Sequence, residues 1–262
     1  MQDRSRVLPT TGIHNFRDYG GYRVANGGRL LCGRLYRSGE FAKASDEDLN
    51  LVSTIDLAAV VDLRGAEERR AAPGRFPVGF AAPILHVEGE TVHSHAAPHV
   101  EAAGDALNAN DARARMLRGY SSMPFRPLLV EMYRRYFRTL AEADGATVVF
   151  CTAGKDRTGL AVALLHHAIG VHWDDILEDY MLTNSAGDQE ARISAIRQDL
   201  DQRFAAQLSD EAIAVVTSVE PQYLERAFEE IVRCHGSVDA YLADQLQVAP
   251  ITRAQLSKRF LQ

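Results

Sequence analysis

Cysteine is scarce in this chain: three residues in 262, at positions 32, 151 and 234. So few and so scattered, they cannot make a disulfide framework, and a protein kept reduced is expected. Long apolar runs are missing as well. None approaches the ~20 residues that a membrane-spanning helix needs, so insertion into a bilayer is not expected. Met1–Arg6 lead into no apolar stretch of a secretory signal. A cytoplasmic location follows as the expectation, although an unconventional export route would leave no trace in the sequence. Positive charge is in deficit, with 29 Lys and Arg against 35 Asp and Glu and a formal net charge of −6. That balance argues against a nucleic-acid binder relying on overall electrostatics. It leaves room for a locally positive pocket that takes an anionic substrate.

Apolar residues make up 46% of the chain, enough for a sizeable core in a single domain over residues 1–262. Glycines at 20, 21, 27 and 28 supply turns before Arg29–Tyr36, which reads as a strand, so the opening third is expected to be β-rich. Ser45 followed by Asp46-Glu47-Asp48 caps a helix through Leu49, Leu51 and Val52. Leu57–Val61, ending at Asp62-Leu63-Arg64, suits a buried parallel strand. Residues 87–124 break the pattern, and a covering insertion with a helix near Asp111–Leu117 is expected there. Apolar residues from Leu128 to Leu140 keep helical spacing. Ala146–Phe150 reads as a second buried strand, and Thr158–Ile169 is apolar nearly all round, as a buried helix is. From Asp174 onward the pattern is helical. The fold class is therefore α/β, with a parallel-type sheet flanked by helices and a helical C-terminal half.

Between that second strand and that helix stands Cys151-Thr152-Ala153-Gly154-Lys155-Asp156-Arg157-Thr158-Gly159. Such a loop turns successive backbone N–H groups toward one point, and the helix that follows aims its positive end at the same point. A thiol placed there loses its proton more easily than ordinary cysteine. Five intervening residues let Cys151 and Arg157 reach one phosphate, with Thr152, Ala153, Gly154 and Lys155 lining it. Arg157 can hold two phosphate oxygens with its planar fork. A nucleotide-binding P-loop is excluded, because Asp156 follows Gly154-Lys155 where Ser or Thr is needed and the upstream glycine is missing.

This string resembles the His-Cys-x-x-Gly-Lys-Asp-Arg-Thr-Gly loop of bacterial tyrosine phosphatases that share features with lipid phosphatases. Further blocks resemble that family: His14–Tyr22, Leu35–Gly39, Val61–Arg64 with Glu67, and Asp179–Asn184. One departure stands out, Phe150 where the family has His before the cysteine. The resemblance implies hydrolysis of phosphate monoesters through a cysteinyl-phosphate on Cys151, with a phosphorylated protein or a phosphoinositide as substrate and no cofactor. Thr158 could donate its hydroxyl to the Cys151 sulfur. Lys155 could bind a further phosphate or simply be a solvated loop charge.

A general acid is also required. Asp156 lies in the loop, as in phosphatases of the myotubularin type. Asp62 ends a strand, and strand ends line clefts in open α/β sheets; its alternative is an ion pair with Arg17, Arg37 or Arg64. A water or a residue of the covering segment could serve instead. His86, His93, His95 and His99 match no closed zinc site, and the chemistry needs no metal. His166 and His167 read as core or boundary residues. A phospho-binding module without turnover and a rhodanese-like sulfurtransferase are the competing classes.

Overall fold

The apolar runs at 57–62 and 146–150 lie side by side and parallel at the centre of a five-stranded sheet. They do so in a computed structural model that describes residues 6–91, 108–190, 193–194, 196–198 and 209–262. The strands are β1 (Arg17–Asp18), β2 (Leu35–Ser38), β3 (Leu57–Asp62), β4 (Ile84–Leu85) and β5 (Ala146–Phe150). Their order across the sheet is β1-β2-β5-β3-β4, and only the edge pair β1–β2 is antiparallel. All five residues of β5 are buried, which is why that segment reads as a continuous apolar run rather than an alternating one.

Side chains alternate across β5 and feed two cores. Val148 and Phe150 join a small cluster with Phe16, Phe41, Val52 and Val60. Val149 and the following Cys151 join the larger one. Helix α1 (Asp46–Ser53) contributes Val52 to the small core, and Ser45 caps it as expected, in a capping box. Ser45 Oγ accepts from the Asp48 N–H at 3.1 Å, and Asp48 Oδ2 accepts from the Ser45 N–H at 3.0 Å. Helix α2 (Ala66–Ala71) follows β3. Helices α3 (Ala109–Ser122), α4 (Pro127–Glu142), α5 (Asp156–Ala168), α6 (Trp173–Met181), α7 (Asp210–Thr217), α8 (Pro221–His235), α9 (Val238–Asp244) and α10 (Pro250–Phe260) all contribute to the large core. Residues Asp156–His166 of α5 are buried without a break, so no polar stripe interrupts the helix after the loop.

Two expectations are corrected. The strand expected over 29–36 survives only from Leu35, because Gly33 turns the chain at φ 79°. Leu30, upstream of that turn, bridges to Leu261 instead. The opening third is accordingly less β-rich than its composition suggests, with short strands joined by turns. In the segment 87–124, residues 92–107 lie outside the described residues. The helix expected near Asp111–Leu117 is found, longer at both ends, and Asn108 caps it. Its Ala112, Met116 and Tyr120 are buried in the core against α7 and α8.

Register fixes where the site lies. Ser38 of β2 and Asp62 of β3 both stand opposite Phe150, so Cys151 leaves the sheet between the C-terminal ends of its two neighbours. In open α/β sheets that edge is where ligands bind.

Candidate active site

Gly154 is the tightest point of the loop. Its φ of +63° is one that side-chain-bearing residues rarely adopt, and an added Cβ would meet the Ser38 carbonyl at 2.3 Å. Its own carbonyl accepts from Asn15 Nδ2 at 2.7 Å and from Arg37 Nη2 at 3.0 Å. The backbone N–H groups of Thr152, Ala153, Gly154, Asp156 and Arg157 find no protein acceptor among the described residues. Buried N–H groups are almost always paired. A run of unpaired ones around a turn, at the start of a helix, is a site for an anion.

Cys151 and Arg157, at the two ends of this loop, are 2% and 1% exposed. Arg157 is gripped from outside the loop by Glu68 of α2. Nη1 donates to Oε2 at 2.5 Å and Nη2 to Oε1 at 2.7 Å, while Thr91 Oγ1 and the Leu63 carbonyl take further bonds from Nη1 at 3.1 and 3.3 Å. Nε has no partner among the described residues. Burial would push the Glu68 carboxyl up, but the Arg157 charge and hydrogen bonds, with those of Thr152 and Gly65, outweigh it and hold the group at about 2. Burial likewise opposes the charge on Arg157, and Glu68 overcomes it, so the guanidinium is harder to deprotonate than usual.

The sequence reading singles out Glu67, yet Glu67 pairs with exposed Arg70 while Glu68 turns inward. Nothing in a run of four adjacent charges distinguishes the two. The available hint is the capping geometry, in which Glu68 Oε2 accepts from the Gly65 N–H at 2.9 Å.

Of the three arginines offered to Asp62, the structure uses Arg64. Asp62 Oδ1 accepts from the Arg64 N–H and Nε, both at 3.0 Å, and Oδ2 from Nη2 at 2.9 Å. Arg64 reaches on to Glu40 at 2.8 Å and sits 5.2 Å from the centre of the Phe150 ring. Phe150 itself packs edge-on against Phe41 in the small core, on the face of β5 away from Cys151.

Asp156 opens α5 and is 2% exposed. Its Oδ1 accepts from Tyr120 Oη at 2.8 Å, and Tyr120 Oη lies 2.7 Å from Tyr180 Oη. Burial, reinforced by Asp156, keeps both phenols well above their usual acidity range, so they remain protonated donors. Asp156 Oδ2 accepts nothing among the described residues. Lys155 is buried rather than solvated, with Nζ donating to the Val216 and Ser218 carbonyls at the end of α7, at 2.6 and 3.1 Å. Thr158 Oγ1 is fully buried with no partner among the described residues. Leaving a buried hydroxyl unpaired costs about 1–3 kcal/mol, as expected of a group kept for a ligand or a thiolate.

The structure thus brings Cys151, Arg157, Thr158 and Asp156 around one loop, adds Glu68, and sets the Lys155 Nζ between the end of α7 and Asp156 Oδ1, 3.5 Å away. His166 is a core residue whose Nε2 lies 3.0 Å from the Tyr19 carbonyl. His167, at the boundary, pairs with Asp239. His93, His95 and His99 lie outside the described residues.

A sequence model described as a tyrosine phosphatase family matches residues 8–262. A Cupriavidus necator protein, provisionally named a tyrosine-protein phosphatase, is 36% identical over 90% of this chain and 82% of its own. The triple specificity protein phosphatase PtpB of Mycobacterium tuberculosis is 32% identical over 91% of this chain and 93% of its own.

Proposed function

The chain belongs to the tyrosine phosphatase family, and from that premise we propose that Cys151 is the nucleophile and Arg157 the phosphate ligand of a hydrolase acting on phosphotyrosine in proteins. The observation that carries the assignment is the loop itself, with unpaired N–H groups between a buried cysteine and an arginine whose outer edge is already held. Held by Glu68 through Nη1 and Nη2, Arg157 keeps its Nε side for phosphate oxygens. The loop amides complete the cradle for the charge that builds up on phosphorus.

In the first step the Cys151 sulfur attacks phosphorus, an S–P bond forms, and the P–O bond to the tyrosyl oxygen breaks. Asp156 gives that oxygen its proton. Tyr120 occupies one carboxyl oxygen of Asp156 as a donor, which leaves the other for the proton. Asp62 is the weaker choice, since both of its oxygens are bound to Arg64. In the second step water attacks phosphorus, Asp156 takes its proton, and the P–S bond breaks as Thr158 donates to the departing sulfur. Inorganic phosphate leaves. A reducing compartment suits this chemistry, and the three cysteines are free thiols. No helix among the described residues is long and apolar enough to cross a membrane.

A phosphoinositide substrate would use the same residues. One relative's name carries triple specificity, so the informative assay is a panel of phosphotyrosine, phosphoserine and phosphothreonine peptides with inositol lipids. Turnover is expected to be highest on phosphotyrosine, and Cys151→Ser should abolish it while phosphopeptide still binds. Hydrolysis by Cys151→Ser at the wild-type rate would overturn the assignment.

A further inference from the structure

Three of the sequence blocks noted above take no part in the chemistry just described, yet they meet behind the phosphate loop. We propose that Asn15, Arg17, Arg37 and Asp179 form a buried positioning set that fixes the orientation of the Gly154 carbonyl and keeps a surplus positive charge at the back of the anion site. The inference rests on the functional reading above and deepens it.

Asp179, from α6, is the root. Its Oδ2 accepts from Arg37 Nη1 at 2.6 Å and its Oδ1 from Arg17 Nε at 3.4 Å. Arg17 Nη2 also donates to the Asp179 carbonyl at 2.8 Å and to Thr183 Oγ1 at 3.3 Å. Two routes then run from this carboxylate to one atom. Along the first, Arg37 passes from Asp179 directly to the Gly154 oxygen. Along the second, Arg17 Nη1 donates to Asn15 Oδ1, and Asn15 Nδ2 donates to the same oxygen at 2.7 Å. With both lone pairs taken, that carbonyl cannot swing round to face an incoming phosphate with its negative end. The loop can pass this close to Ser38 only because residue 154 is glycine, and a glycine by itself does little to fix where its carbonyl points.

Charge count makes the second half of the case. Two guanidiniums, both fully buried, face one carboxylate. Burying an unbalanced charge is costly, so a fold that retains one has a use for it or would do better with apolar residues. Burial and then Arg37 depress Arg17 to about 10, against the pull of Asp179, as an electropositive pocket does. A phosphate dianion held by the Gly154 loop is the counter-charge within reach of the set.

The test compares Arg37→Met and Asn15→Gly with the wild-type chain. Asn15 sits at φ 58°, where glycine is at ease, so its loss removes the amide without straining the backbone. The readouts are the inhibition constant of inorganic phosphate, the rate of Cys151 alkylation at neutral pH, and kcat on aryl phosphates of different leaving-group acidity. Both variants should weaken phosphate inhibition, by about tenfold for the lost donor in Asn15→Gly and more for Arg37→Met, which also removes charge. Alkylation should slow in Arg37→Met, and kcat should fall by the same factor for every leaving group. If Arg37→Met does not fold, Asn15→Gly decides. A folded variant with wild-type phosphate inhibition, whatever its stability, would overturn the inference. A wild-type chain that hydrolyses no member of the panel would instead overturn the functional reading beneath it.

Discussion

Glu68 holds Arg157 by its two terminal nitrogens, at 2.5 and 2.7 Å, and leaves Nε without a partner among the described residues. A guanidinium presents a different edge to each partner, so one carboxylate outside the loop decides which edge is left for another ligand. Glu68→Gln keeps the shape and removes half of the grip. We expect kcat/KM on aryl phosphates to fall roughly 10–100-fold, as for a misplaced ligand of the reacting group. Steady-state kinetics of the folded variant would check it.

The same pair sets a pH dependence. A carboxyl lowered from 4.5 to about 2 stabilises the fold above 4.5, and that contribution is lost as pH falls through 2. The shift is worth on the order of 3 kcal/mol at neutral pH. Chemical denaturation at about pH 6 and pH 3 should therefore find Glu68→Gln less stable than wild type at the higher pH, with the gap narrowing at the lower. Equal gaps at both would mean that the ionisation of Glu68 adds nothing to stability.

Asp156 and Tyr120 form a second testable pair. Asp156→Asn should cost roughly 10²–10⁴ in rate on aryl phosphates with poor leaving groups and far less on activated ones, whose phenolates leave unaided. Tyr120→Phe should reproduce the trend at smaller amplitude, since it removes one bond to the carboxylate. Asp62→Asn should show a loss with no dependence on the leaving group. A steep dependence in Asp62→Asn with none in Asp156→Asn would exchange their roles.

Lys155 tests what the loop lends to the rest of the fold. Replacing it by Met leaves the Val216 and Ser218 carbonyls without their donor and should cost about 1–3 kcal/mol of stability, read from thermal or urea unfolding. Hydrolysis of phosphotyrosine peptide should change no more than a few-fold. A selective loss on multiply phosphorylated inositol lipids would show that Lys155 leaves α7 to bind substrate.

Much of this molecule is legible from local pattern. Both central strands, the Ser45 cap, the helix from Pro127 and the loop between strand and apolar helix all announce themselves, because each depends on neighbours a few residues away. The misread strand at 29–36 failed for one local reason, the backbone turn at Gly33. What stays hidden depends on distant partners. Glu68 differs from Glu67 only in what packs above it. The destination of Lys155 lies 61 residues on, at Val216. The sequence blocks around Asn15, Arg37 and Asp179 are visible as patterns, but that all three serve one carbonyl emerges only when β2 and α6 are brought against the loop.

The strand order has a consequence for how the chain is made. β5 lies between β2 and β3, so the two halves of the sheet share no ladder until residues 146–150 have left the ribosome. Before then each half exposes an open parallel edge, the kind of surface that nascent chains misuse for aggregation. The strand that seals both edges is the one that delivers Cys151. Completion of the sheet and arrival of Cys151 are thus a single event, and a chain that stops short of β5 has neither the closed sheet nor the loop that follows it.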